Sequence, residues 1–373
     1  MAGRGKAQAR AEDGGSPAGA TPDRGLADVV GHLPTVQALR MRLASGTVSH
    51  AYWVSGPSQV GKTTLALAVA AEFLDAEGWP GGLTSHPDLW LEDGTATLRV
   101  EQIRRGDPEA DPDQGPTLQH FLSLSSFAGR GKVAVIGNAD RLSLEAASAM
   151  LRLLEEPPPS TMIWLCTAKP DSEALPNTLR SRCQQLLLGP VDAELIEGWM
   201  VSTKGVSPET ARVSSAICLG RPGLGLEMAA QPELARRAEE WLQALLDCAN
   251  SGPAGWLDLS RDLAERGTDK QLAVGAMRVW ASFLRDCCCL AVGVPELARW
   301  PAQRAAASRW AEQLGLDGCA RRYDLALDAL SRLAERATPR LVLDRFLLLT
   351  FGSDPPGPTS GEPQAALSGS DRR

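Results

Sequence analysis

At 373 residues, 43% hydrophobic and 22% charged, the chain has material for two or three domains with substantial cores. A formal charge of −7 at pH 7 excludes a protein that coats nucleic acid by bulk positive charge, so any DNA contact must be local or supplied by partners. No apolar run approaches the roughly 20 residues that span a bilayer, and the amino terminus has no apolar signal core, so the expected location is the cytoplasm, with no membrane partner.

Residues 1–24 carry almost no large apolar side chain and are expected to form a disordered tail. Residues 26–43 show helical spacing, with His32 at the start of the helix. The apolar run 51–55 then leads into Gly56-Pro57-Ser58-Gln59-Val60-Gly61-Lys62-Thr63-Thr64 and the Ala/Leu-rich stretch 65–71. That is strand, phosphate-cradling loop and helix. The glycines let successive N–H groups converge on an anion, and the helix N-terminus adds positive potential. Lys62 suits the outer phosphates and the Thr63 hydroxyl suits Mg²⁺, so ATP is the expected ligand.

The chain breaks at 78–82 and resumes at 86–91 with strand alternation, followed by helical residues 99–104. The acidic, proline-containing stretch 106–116 lacks the ligand order of a calcium loop and reads as a mobile insertion. Residues 132–136 read as a strand buried on both faces. Ser143 caps the next helix, whose stripe is Ala146, Met150, Leu153 and Leu154. Strands at 162–167 and 184–188 flank a short helix at 175–180. Five strands alternating with helices predict an α/β doubly wound parallel sheet with helices on both faces and the phosphate loop at its carboxyl edge.

Beyond residue 190 the strand signals stop. The expected domains are 25–189 (the P-loop domain), 190–231 (a small helical unit) and 232–352 (all-helical, including 272–290 and 323–336), with a second disordered tail at 353–373. The ten tryptophans are spread through all three and read as core and interface packing. Eight cysteines (166, 183, 218, 248, 287, 288, 289 and 319) form no C-x-x-C pair and read as reduced, buried thiols without zinc. The 287–289 run points in three directions about a helix.

Several stretches together resemble the AAA+ subunits of the bacterial sliding-clamp loader, and within that family the delta-prime type of subunit of DNA polymerase III. They are Val30-Gly-His32, Gly56 to Thr63, Ser85-His-Pro-Asp88, residues 121–125, 132–142, 146–158 with their Leu-Glu-Glu-Pro-Pro ending, Leu179-Arg-Ser-Arg-Cys183 and Thr338-Pro-Arg-Leu341. The resemblance implies a ring of five subunits, with 190–231 as a lid and 232–352 as a collar for hetero-oligomerisation. Its partners would be the gamma/tau motor subunits and delta, and, through the assembled complex, the sliding clamp and primed DNA. It also implies that Arg182 is an arginine finger acting in trans on a neighbour's ATP site, a role suited to a permanently charged, fork-shaped guanidinium. Thr167 would stand as the first sensor.

The departures from the family pattern concern hydrolysis. An acidic pair is expected after residue 136, one to hold the Mg²⁺ shell and one to polarise water, and Gly137 and Asn138 stand there instead. Neither can accept a proton, and Gly137 offers no side-chain oxygen. Asp140 lies three residues on, a poor substitute by position. A second-sensor arginine is replaced by Gly223, with Arg221 nearby but misdirected. Four zinc cysteines found in many relatives are missing from 77–85. The sequence therefore reads as a non-motor ring member that keeps the cradle without turning ATP over, with Mg²⁺ present only alongside nucleotide. The alternatives are an active gamma/tau-like ATPase and, of a different class, a stand-alone P-loop NTPase.

Overall fold

A computed structural model describes residues 25–352 except 78, 94–96, 105–116, 169–175, 232, 266–269 and 336. Both expected tails, the acidic stretch 106–116 and the start of the helix expected at 175 lie outside the described residues. The chain divides at Pro190 into two compact units.

The first unit holds strands β1 (Ala51–Ser55), β2 (Leu89–Glu92), β3 (Lys132–Ile136), β4 (Thr161–Thr167) and β5 (Gln184–Leu187). Its helices are α1 (Leu33–Ala44), α2 (Lys62–Leu74), α3 (Val100–Ile103), α4 (Leu118–Ser123), α5 (Leu144–Glu155) and α6 (Asn177–Arg180). The strands form one parallel sheet in the order β2-β3-β4-β1-β5, the doubly wound α/β arrangement expected. β1, β3 and β4 are buried along their whole length, as their unbroken apolar runs require. Ala51, Trp53, Ala134, Ile136, Ile163 and Leu165 face a core shared with α3, α4 and α5. α2 packs on β3 and β4. α5 begins where expected, with the Ser143 hydroxyl accepting the Ala146 N–H at 3.1 Å.

One strand differs from expectation. β2 begins at Leu89 rather than His86. Pro87 has no N–H to give a ladder, and the Asp88 carboxylate is fully buried and accepts the N–H groups of Phe127 (2.8 Å) and Ala128 (2.9 Å) while pairing with Lys132 at 3.1 Å. Burial pushes the Asp88 carboxyl up, but those donors outweigh it and hold the group below its usual value. The His-Pro-Asp segment therefore fastens a loop at the amino edge of the sheet.

The second unit is helical: α7 (Ala193–Lys204), α8 (Pro208–Ile217), α9 (Pro222–Ala229), α10 (Leu234–Cys248), α11 (Pro253–Glu265), α12 (Gln271–Val292), α13 (Arg304–Ala334) and α14 (Pro339–Phe351). α13 starts well before the helix expected at 323 and bends at Gly315, whose φ of 61° and ψ of −179° are non-helical. Trp280 stacks on Phe346 at 5.6 Å, and Trp310 meets Phe283 and Phe351 edge-on. The Ser282 hydroxyl on α12 donates to the Ala216 carbonyl on α8 at 2.8 Å, so the helices expected to form a lid and those expected to form a collar share one interior. Among the described residues no helix is long and apolar enough to cross a membrane.

Candidate functional site

The loop from Gly56 to Gly61 joins β1 to α2 at the carboxyl edge of the sheet. Gly56 has φ 152°, and a Cβ there would lie 2.2 Å from the Leu188 carbonyl oxygen, so only glycine lets the loop turn beside β5. Gly61, at φ 108°, caps α2. Ser58 and Gln59 are exposed, with Gln59 in the left-handed region at φ 64°. Pro57, Thr63 and Thr64 are half-buried and Val60 is buried. Val60 carries a contact that sequence reasoning passed over: His32 Nε2 lies 3.4 Å from its carbonyl oxygen. Burial lowers the His32 pKa, and a carbonyl partner selects the neutral tautomer with hydrogen on Nε2. The Val30-Gly-His32 stretch is thus a brace for the loop.

Lys62, 8% exposed, donates through Nζ to the carbonyl oxygens of Gly56 and Pro57, both at 2.8 Å. Burial lowers its pKa, opposed by the nearby Cys166 and Asp140. The Thr63 hydroxyl hydrogen-bonds the Cys166 sulfur beneath it, a thiol that burial pushes up to about 12 against the pull of Lys62 and Thr63. Thr167, fully buried at the end of β4, pairs in register with Ser55, the residue before the loop. Residues 56–64 and Thr167 therefore gather at one place. A converging loop, a buried ammonium, a hydroxyl and the start of a 13-residue helix fit the triphosphate of ATP with its Mg²⁺.

At the end of β3, Gly137 is hemmed in. A Cβ there would meet the Asp93 carbonyl oxygen at 2.9 Å and that of Glu92 at 3.0 Å. Asp140, three residues on, accepts the Ala168 N–H through Oδ2 at 2.5 Å, which ties it to the end of β4. In the second unit Gly223 lies in the first turn of α9, and Arg221 donates through Nε to the Cys218 carbonyl at 3.2 Å.

Arg182 is elsewhere. It lies just before β5, whose first residue pairs with Tyr52 near the start of β1, so it belongs to the amino edge of the sheet. Its guanidinium bonds the Thr178 carbonyl at 2.7 Å and Glu155, at the end of α5, at 2.5 Å. β1 separates this edge from the loop by five residues, on the order of 15 Å. Arg182 cannot serve its own loop. The pairing with Glu155 joins two of the segments that carry the family resemblance, and a sequence separation of 27 hid it from the sequence.

Residues 31–192 match the family model described as DNA polymerase III, delta subunit. The delta-prime subunit of Bacillus subtilis is 32% identical over 179 residues, covering 44% of this chain and 50% of the relative, and that of Escherichia coli is 31% identical over 179 residues, covering 47% and 48%. This segment is similar to subunits of the DNA polymerase III clamp loader. Within the clamp-loader family the tau subunit of Escherichia coli is equally similar, 33% identical over 187 residues that cover 46% of this chain and 26% of tau. The chain thus spans about half the length of its delta-prime relatives and a quarter of tau. A gamma-subunit-related protein of Thermotoga maritima has a distantly similar structure, with a TM-score of 0.39 at 15% identity over 83% of this chain and 97% of that one.

Proposed function

We propose that this chain is a delta-prime-type, non-motor subunit of a clamp loader, which keeps a nucleotide in its phosphate loop without hydrolysing it and lends Arg182 to a neighbouring ATPase subunit. The observation that carries this reading is the place of Arg182, across the sheet from its own loop, where its guanidinium is held by the Thr178 carbonyl and a half-exposed carboxylate that a phosphate of another molecule could displace. The replacement of the acidic pair by Gly137 and Asn138 supports the non-motor half, since no carboxylate stands at either position to hold metal or polarise water.

In this reading the N–H groups of 56–61 and the α2 N-terminus hold the phosphates, Lys62 exchanges its carbonyl partners for phosphate oxygens, and Thr63 turns from Cys166 to the metal. A bound Mg²⁺ would neutralise phosphate charge. The partners are other clamp-loader subunits, gamma/tau and delta among them, and through the assembled complex the sliding clamp and primed DNA. The comparable similarity to tau favours a second reading, an active motor subunit.

The test is Arg182→Ala within a reconstituted loader. The variant is expected to fold and bind its partners while DNA-stimulated ATPase falls about 10³-fold or more, the usual worth of such a finger. An unchanged rate removes the role assigned to Arg182.

A further inference from the structure

We propose that Asp140 supplies the carboxylate by which the phosphate loop holds the hydrated Mg²⁺ of a bound nucleoside triphosphate, the part Gly137 has no side chain to play. This rests on the reading of residues 56–64 as a nucleotide cradle.

Asp140 sits in the short 3-10 turn Ala139–Arg141 that follows β3. Its Oδ2 is fixed by the Ala168 N–H at 2.5 Å. Ala168 directly follows Thr167, whose register partner Ser55 directly precedes Gly56, so the carboxylate is tied to the strand that lies beside the loop. Its charge opposes the effect of burial on the Lys62 ammonium, in keeping with that placement.

The other oxygen is the decisive one. Asp140 Oδ1 is shielded from solvent and has no hydrogen-bond partner. A shielded, acceptor-only oxygen left unmatched is costly, and its natural complement is a cation or the water of a cation's shell. Mg²⁺ dehydrates reluctantly and is commonly held through one or two carboxylates together with phosphates, so a carboxylate one water away from the ion suffices. Position 137 cannot take this part even by substitution without movement, because its Cβ site is closed by the Asp93 and Glu92 carbonyls. The turn that brought in Gly137 carries its own acid three residues later. That acid holds metal without standing where water would be activated, which agrees with a site that binds but does not cut.

The test is calorimetric titration of the full chain with ATP, in Mg²⁺ and in EDTA, for the wild type, Asp140→Asn and Asp140→Glu. The wild type is expected to bind ATP more tightly in Mg²⁺. Asp140→Asn keeps an acceptor for Ala168 and should lose on the order of 10- to 100-fold in Mg²⁺ while affinity in EDTA stays level or rises, as a repelling charge is gone. Asp140→Glu keeps the charge and should retain most of the Mg²⁺ dependence, which separates metal holding from damage to the fold. An equal loss with and without Mg²⁺, or none, overturns the role of Asp140 and leaves the cradle intact. Absence of ATP binding by the wild type overturns the cradle, and this proposal with it.

Discussion

At position 137 the missing side chain is matched by missing room. A Cβ would press on the Asp93 and Glu92 carbonyls at 2.9 and 3.0 Å, and backbone oxygens cannot swing aside as a side-chain end can. Gly137→Asp should therefore destabilise the first unit by about 1–3 kcal/mol, seen as a lower Tm in calorimetry. Asn138→Glu alone should release no phosphate from ATP, because the carboxylate proposed to hold the metal, Asp140, stands three residues beyond the position from which metal and attacking water would be aligned. Substantial turnover from that single change would show that the metal is held well enough elsewhere for catalysis. At the amino edge, Arg182 and Glu155 are 35% and 49% exposed, so their pair is worth at most about 1 kcal/mol and can yield to a stronger anion.

Among the elements, α12 carries a charged group that reports on pH. Asp286 is 1% exposed and accepts the Arg299 and Trp300 N–H groups at 2.6 and 2.9 Å. Burial raises its pKa to about 6 from 3.8, outweighing those donors and the arginines at 285 and 299. For an acid raised in the folded state, the fold binds more protons than the unfolded chain between pH 4 and 6. The stabilising effect is thus full below about pH 4 and is lost as pH rises through 6, a change of about 3 kcal/mol over two units. Asp286→Asn removes the titration, so urea midpoints of the two proteins between pH 4 and 7 should shift in the variant's favour as pH rises. Parallel curves would contradict this.

The sheet and the loop were readable beforehand because both are written locally: unbroken apolar runs for β1, β3 and β4, and glycine spacing for the turn. What distant residues decide was not readable. The start of β2 depends on Asp88 reaching Phe127, the brace on the loop depends on His32 meeting Val60, and the Arg182–Glu155 pair depends on α5 and α6 ending at one edge. No periodicity records such pairings. The extent of α13 was missed for another reason, since Gly315 looks like a stop and instead makes a bend.

At the scale of the whole molecule, the phosphate loop lies at one edge of the sheet and the Arg182 guanidinium at the other, in a chain whose second unit is helical throughout the described residues. In the proposed function, a subunit so arranged would work on its neighbour's nucleotide and keep its own. The most direct test mixes the purified chain with γ-labelled ATP and Mg²⁺ and follows retention and phosphate release together. ATP should be retained and recovered intact, and Lys62→Ala should lose the retention. Phosphate release by the isolated chain, abolished by Lys62→Ala, would contradict it.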